Sequence, residues 1–150
     1  MPQITGHWEE IVGNQFVAEQ RAYDPPAELA RATENIARLN PGQKLVHDQI
    51  LASVLRSDSQ GRPQGRPFFV HSLGGTGKSF TWNTLAASCR ERSLIVLCVA
   101  SSGIASLILT GGQTSHSMLG IPIEIYENSV SIIKKNSLKE ELLRKTRLII

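Results

Sequence analysis

The sequence predicts an α/β fold in which helices cover both faces of a parallel sheet. Three observations carry that reading. Ser93 to Ala100 (SLIVLCVA) is continuously apolar and rich in branched side chains rather than alternating, as a strand buried on both faces requires. Strand-like and helix-like segments alternate from residue 67 onward, the order of an α/β chain. Between the first such strand and helix lies the glycine-rich stretch SLGGTGKS at residues 72–79.

The elements follow in order. Residues 1–24 show no sustained period around a short apolar patch of Ile11-Val12 and Phe16-Val17, so they are expected to be a lead-in segment. From Asp24 the run DPPAELARATENIARLN offers an aspartate cap, prolines in the first turn, and Leu29, Ala32, Ile36 and Leu39 at helical spacing. Asn40 then caps a second helix with Pro41 in its first turn. Val46, Ile50 and Val54, with Leu51 and Leu55, form its apolar face, and it should end near Ser57. The stretch SDSQGRPQGR is rich in Gly, Pro and polar residues and is expected to be an exposed loop. Pro67 to His71 (PFFVH) should be a buried strand and KSFTWNTLAASCRER a helix, followed by the strand at 93–100. SSGIASLIL should form a helix, TGGQT a turn, and LKEELLRK a helix leading into a last apolar run, RLII. No internal repeat is visible.

Composition narrows the class. At 150 residues the chain is long enough for one domain, which at that size buries roughly 70% of the surface its unfolded chain exposes. Hydrophobic residues at 41% and charged residues at 19% exclude a disordered or fibrous chain. The net charge of +3 is uneven: residues 1–40 hold six acids and three bases, so the excess of bases lies in the part with the glycine loop. That distribution suits a polyanionic partner, and equally plain solubility. Cys89 and Cys98, without C-x-x-C spacing, are expected to be buried reduced thiols rather than a metal or disulfide framework. The longest apolar run, Leu94 to Ala100, is far short of the ~20 residues a membrane span needs. Glu9 and Glu10 interrupt the N-terminus, so no secretory or transit signal is expected, and an intracellular location is.

SLGGTGKS has the makings of a P-loop. Glycines 74, 75 and 77, with Thr76 among them, can adopt positive φ and turn backbone N–H groups inward around an anion. The following helix adds its free N–H groups and positive dipole end. Lys78 would reach the β- and γ-phosphates of a nucleoside triphosphate, and the Ser79 hydroxyl would take a place in the Mg²⁺ shell; these two are the candidate catalytic residues. The full P-loop pattern has glycine where this chain has Ser72, so some weakening of the loop geometry is expected. His71 and Leu73 are expected to be structural.

Two further segments accompany the loop: LNPGQ at 39–43, with Gln43 lying 35 residues before Lys78, and VASSGIASLILTGGQTSHSMLGIPI at 99–123. With GGTGKS they resemble the petite-integration-frequency (Pif-like) DNA helicases of superfamily one, in particular the helicase portion of Helitron transposon proteins. The resemblance runs from Leu39 to Ile150, with a weaker echo upstream. It implies a RecA-like P-loop NTPase domain over residues 25–150 that is incomplete at its C-terminus. It further implies ATP and Mg²⁺ as ligands and Gln43 as the reader of the adenine edge, where a primary amide can donate and accept at once. Single-stranded DNA is the implied partner, with Ser101, Ser102, Gly103, Thr114, His116 and Ser117 as contact candidates. Hydroxyls and backbone N–H groups hold phosphates without reading sequence, as a translocating motor requires. Ser101-Ser102-Gly103 could instead be a plain helix cap and His116 a structural residue.

The implied activity is 5′-to-3′ unwinding of DNA coupled to ATP hydrolysis, in repair, recombination or transposon replication, in the nucleus or mitochondrion. The family follows its third strand with an acidic Mg²⁺-binding pair, and the chain reaches Leu148-Ile149-Ile150 on what reads as that strand, so the pair is expected directly after Ile150 and the arginine finger with a second RecA-like lobe. The isolated chain is therefore expected to turn over little ATP. Open strand edges predict poor solubility. Two other classes fit the loop alone: a small-molecule kinase, and a truncated remnant without activity.

Overall fold

The computed structural model describes residues 14–57 and 65–150. In chain order these form α1 (Gln15–Arg21), α2 (Pro25–Arg38), α3 (Pro41–Leu55), α4 (Lys78–Arg90), β1 (Ile95–Leu97), β2 (Val99–Ala100), α5 (Gly103–Ser106), β3 (Gln113–Thr114), α6 (Ser115–Leu119), α7 (Leu138–Lys145) and β4 (Thr146–Ile149). The expected loop at 57–66 lies partly outside the described residues.

Local chemistry sets the helix starts. Asp24 accepts the Ala27 N–H at 3.3 Å, and Pro25 and Pro26 fill the first turn of α2. Asn40 and Gln43 form a reciprocal capping box at the head of α3, which ends at Leu55 with Arg56 as its C-cap, near Ser57 as expected. Ile50 of α3 is buried, and Val46, Leu51 and Val54 pack beside it as the apolar pattern requires. Leu55 is exposed. In α2 the pattern misleads at one position: Leu29 is exposed while Glu28 turns inward, its carboxylate 2.9 Å from the Arg31 guanidinium.

Residues before Asp24 hold a helix that the patternless reading did not anticipate. Asn14 caps α1 by accepting the N–H groups of Phe16 and Val17. Its amide also donates to the Leu138 carbonyl at 2.7 Å and the Glu141 carboxylate at 2.8 Å, tying α1 to α7. Val17 thereby enters the core.

The strand read at Ser93–Ala100 is real but broken. β1 pairs in parallel with β4 through Val96↔Leu148 and Leu97↔Ile149, whereas β2 pairs in parallel with β3 through Val99↔Gln113 and Ala100↔Thr114. Cys98 is the handover. Its carbonyl accepts the Gln113 N–H at 3.0 Å, while Val99 still donates to the Ile150 carbonyl at 2.8 Å. Val96 and Cys98 face a core of Ile50, Leu85, Ala86 and Cys89; Ile95 and Leu97 face one of Val17, Met118 and Leu142. Both faces are covered, which is why the sequence does not alternate.

Residues 67–71 form no strand, contrary to expectation. A strand needs a free edge to take its N–H and C=O groups. β4 pairs with β1 on one edge and borders a cavity shared with Gly65, Arg66 and Phe68, but residues 67–71 form no ladder with its other edge. Val70 packs on the core, but Phe69 is 91% exposed. The helix expected at 101–109 is cut to α5, because Ile104 and Leu107 point to solvent and give it no apolar face to bury. The turn beyond it packs closely at two glycines. A Cβ on Gly112 would lie 2.1 Å from the Ser106 carbonyl oxygen, and one on Gly111 2.1 Å from the Tyr23 hydroxyl. The turn expected at TGGQT closes there, and Gln113–Thr114 continue as β3. LKEELLRK and the run after it become α7 and β4 as read.

Cys89 and Cys98 are free and buried. Burial pushes the Cys89 thiol up to about 12 and raises that of Cys98. Both should therefore resist a thiol-specific reagent at pH 8 in the native chain and react within seconds of adding denaturant. Fast labelling of the native protein would contradict this packing.

Candidate functional site

α4 is the odd helix of the set. Asn14, Asp24, Asn40, Ser102, Thr114 and Ser137 each cap their helices with a side chain. α4 instead has Gly77 at its N-cap, at φ +81°, with no side-chain cap bond. The first N–H groups of α4 are thus left to face the loop before them, where the helix dipole favours an anion. Lys78 and Ser79 occupy its first turn.

The loop is held from inside. Thr76 Oγ1 donates to the Leu73 carbonyl at 2.9 Å and stands 2.8 Å from the Ser72 hydroxyl. The Lys78 ammonium donates to the carbonyls of Ser72 and Leu73 at 3.0 and 2.7 Å. Ser72, the departure from the glycine pattern, thus adds a cross-loop contact. Gly75 and Gly77 have positive φ, whereas Gly74 does not, so the expectation of three such glycines is corrected to two.

Gln43 reaches this loop from the head of α3. Its Oε1 accepts the Asn40 N–H at 3.0 Å and its Nε2 donates to the Thr76 carbonyl at 3.0 Å. A primary amide has two donors and two acceptor lone pairs, so one of each remains for a ligand. Beside it a cavity of ≈ 280 Å³ is lined by Asn40, Gln43, Val46, Val70, Lys78 and Trp82. Apolar walls with a few directed polar groups are what a planar base requires. Gln43 as a bridge between helix and loop was not foreseen, although Asn40-x-x-Gln43 is a capping-box pattern.

The second group of candidates is brought together by the β2–β3 register. Ala100 lies opposite Thr114, so Ser101-Ser102-Gly103 and Thr114 to Ser117 leave neighbouring strand ends side by side. Ser102 accepts the Ala105 N–H and Thr114 accepts the Ser117 N–H, both at 3.3 Å, so these hydroxyls are engaged as caps. The Ser117 carbonyl accepts from Lys139 at 2.7 Å, which adds a cation that the motif did not include. His116 sits half-buried in α6, its carbonyl accepting the Gly120 and Ile121 N–H groups.

Among the described residues no group of three or more His, Cys, Asp or Glu could hold a metal ion. The Ser79 hydroxyl, in the first turn of α4, could supply one oxygen to a cation carried in with a phosphate ligand. No described helix is long and apolar enough to cross a membrane.

Residues 38–150 match the family model described as PIF1-like helicase. The chain is also similar to the ATP-dependent DNA helicase PIF4 of Trypanosoma brucei brucei (strain 927/4 GUTat10.1), with 37% identity over 65 residues. That alignment covers 43% of this chain and 8% of the trypanosome protein.

Gly77→Ala should lower stability by about 1–2 kcal/mol, the cost of a left-handed backbone for a residue with a Cβ. The new methyl would also meet Gln43 Nε2 at 2.5 Å and break its bond to Thr76. Gly74→Ala, with nothing within 4 Å of its Cβ position, should melt within ~0.5 kcal/mol of the parent. Equal denaturation midpoints for the two variants would refute this account of the loop.

Proposed function

The chain belongs to the PIF1-like helicase family, and on that premise we propose that the protein is an ATP-dependent DNA helicase that moves 5′-to-3′ on single-stranded DNA. Membership brings the P-loop NTPase fold with it. Residues 25–150 are then part of its first RecA-like domain and residues 1–24 the lead-in, with the remaining domains elsewhere in the protein. The observation that carries the reading is the uncapped start of α4, with Lys78 and Ser79 in its first turn and Gln43 bonded to the loop beside them.

In this reading the backbone of Gly74 to Gly77 and the head of α4 bind the phosphates. Lys78 leaves the Ser72 and Leu73 carbonyls for the β- and γ-oxygens, and Ser79 supplies a protein oxygen to Mg²⁺. The ion, when bound, offsets charge on the transferring phosphoryl group. Gln43 uses its spare N–H and lone pair on the adenine edge while its other half holds Thr76 in place. Base recognition is thus built onto the phosphate loop. Ser101, Ser102, Gly103, Thr114, His116 and Ser117 track the DNA backbone, chiefly through backbone N–H groups and the hydroxyls not spent on caps. The segment VASSGIASLILTGGQTSHSMLGIPI supports a place in the Helitron-type branch, and with it DNA repair, recombination or transposon replication in the nucleus or mitochondrion.

Lys78→Ala in the full-length protein should reduce unwinding of a 5′-tailed duplex by about 10²-fold or more, as expected when a charge-stabilising group is removed from the reacting phosphate. A duplex with a 3′ tail should not be opened by either form. Unwinding that survives the substitution would end the helicase reading.

A further inference from the structure

α4 does more than carry the phosphate loop. Asn83 and Arg90 stand seven residues apart, two turns along one face of the helix, and both reach the loop that follows α5. Asn83 Nδ2 donates to the Ile108 carbonyl at 3.0 Å, and its Oδ1 accepts the Thr110 N–H at 2.8 Å. Arg90 Nη2 donates to the Thr110 carbonyl at 3.1 Å. Both backbone groups of Thr110 are therefore held by side chains of one helix. The orientation of the Asn83 amide follows from its partners, since only its oxygen can meet an N–H and only its nitrogen a carbonyl.

The clamped loop divides the two halves of the DNA candidate segment. Before it lie Ser101 to Gly103; after it the chain turns through Gly111 and Gly112 into β3, where Thr114 pairs with Ala100 and caps α6. Asn83, about one turn beyond Lys78, thus ties α4 to the backbone that lies between those halves. Arg90 secures the far end of the same face. It is 2% exposed, stacked 3.9 Å from the Tyr23 ring, and its loss would cost the core. Asn83 is half-buried and can be replaced without opening a large cavity.

We propose that Asn83 is a positioning residue that couples nucleotide binding at Lys78 and Ser79 to the grip of Ser101 to Ser117 on single-stranded DNA. The proposal rests on the helicase reading. A rigid link of this kind works in both directions, since coupling between two binding sites is reciprocal.

The test uses the full-length protein, a fluorescent oligothymidylate and a non-hydrolysable ATP analogue. DNA affinity is measured with and without saturating analogue, and the ratio of the two dissociation constants is the coupling factor. The parent should give a factor in the range of about 5 to 150 usual for coupled sites. Asn83→Ala should bring the factor to within about twofold of unity, while analogue affinity without DNA and DNA-free ATP turnover stay within about twofold of the parent. Asn83→Asp, which keeps the acceptor for Thr110 and loses the donor to Ile108, should fall between; it decides the matter if the alanine variant melts below the assay temperature. Full coupling in these variants overturns the proposal, as does loss of analogue binding in step with coupling. A parent that unwinds DNA while the variants keep their coupling refutes only this inference; a parent that neither unwinds nor couples refutes the helicase reading and the inference with it.

Discussion

The structure depends on one constraint: α4 must be held firmly at its C-terminal half so that its N-terminus can stay bare. Leu85 to Arg90 are buried, and α2, α3 and β1 pack around them. The helix meets this demand with Leu85 and a set of small and hydroxyl-bearing residues. Thr81, Thr84 and Ser88 turn their hydroxyls back onto the carbonyls of Gly77, Phe80 and Thr84, so their burial leaves no donor orphaned. Ser88 also meets the buried His47 of α3 at 2.9 Å, a polar pin between the helices. Because the anchor lies at the far end, the first turn carries no side-chain cap, and Lys78 reaches from it to the loop carbonyls of Ser72 and Leu73.

What could be read in the sequence divides along the range of the interactions involved. The starts of α2 and α3 were legible because Asp24 and Asn40 act on N–H groups within three residues of themselves. The two-sided burial of Ile95 to Leu97 was legible because a core strand has no polar face to display. PFFVH was misread for the opposite reason. Its apolarity is local, but a strand also needs a ladder with a neighbour, and among the described strands β4 is laddered to β1 alone. α1 escaped notice because its stability comes from Asn14 bonding to α7, more than 120 residues away in the chain, and from a single buried valine.

The candidate site shows the same division. The contiguous glycine loop announced itself, down to its serine. Gln43 was picked out by its motif, yet its bond to Thr76 and its reciprocal cap with Asn40 turn it from a lone reader into part of the loop's frame. The clamp of Asn83 and Arg90 on Thr110 left no trace in the sequence beyond a seven-residue interval, since its targets are backbone groups and any residue supplies those. Lys139 was likewise hidden, because it reaches Ser117 from a helix that no motif connects to it.

The paired glycines after α5 bear on how relatives of this chain should be compared. Because a methyl at 112 would strike a main-chain oxygen, and one at 111 the Tyr23 hydroxyl, selection would keep both positions small even in a descendant that had lost every ligand. Invariance there carries no information about DNA. Under the proposed function, Ser101, His116 and Ser117 are the columns that would report on DNA binding, whereas the glycine pair reports on packing.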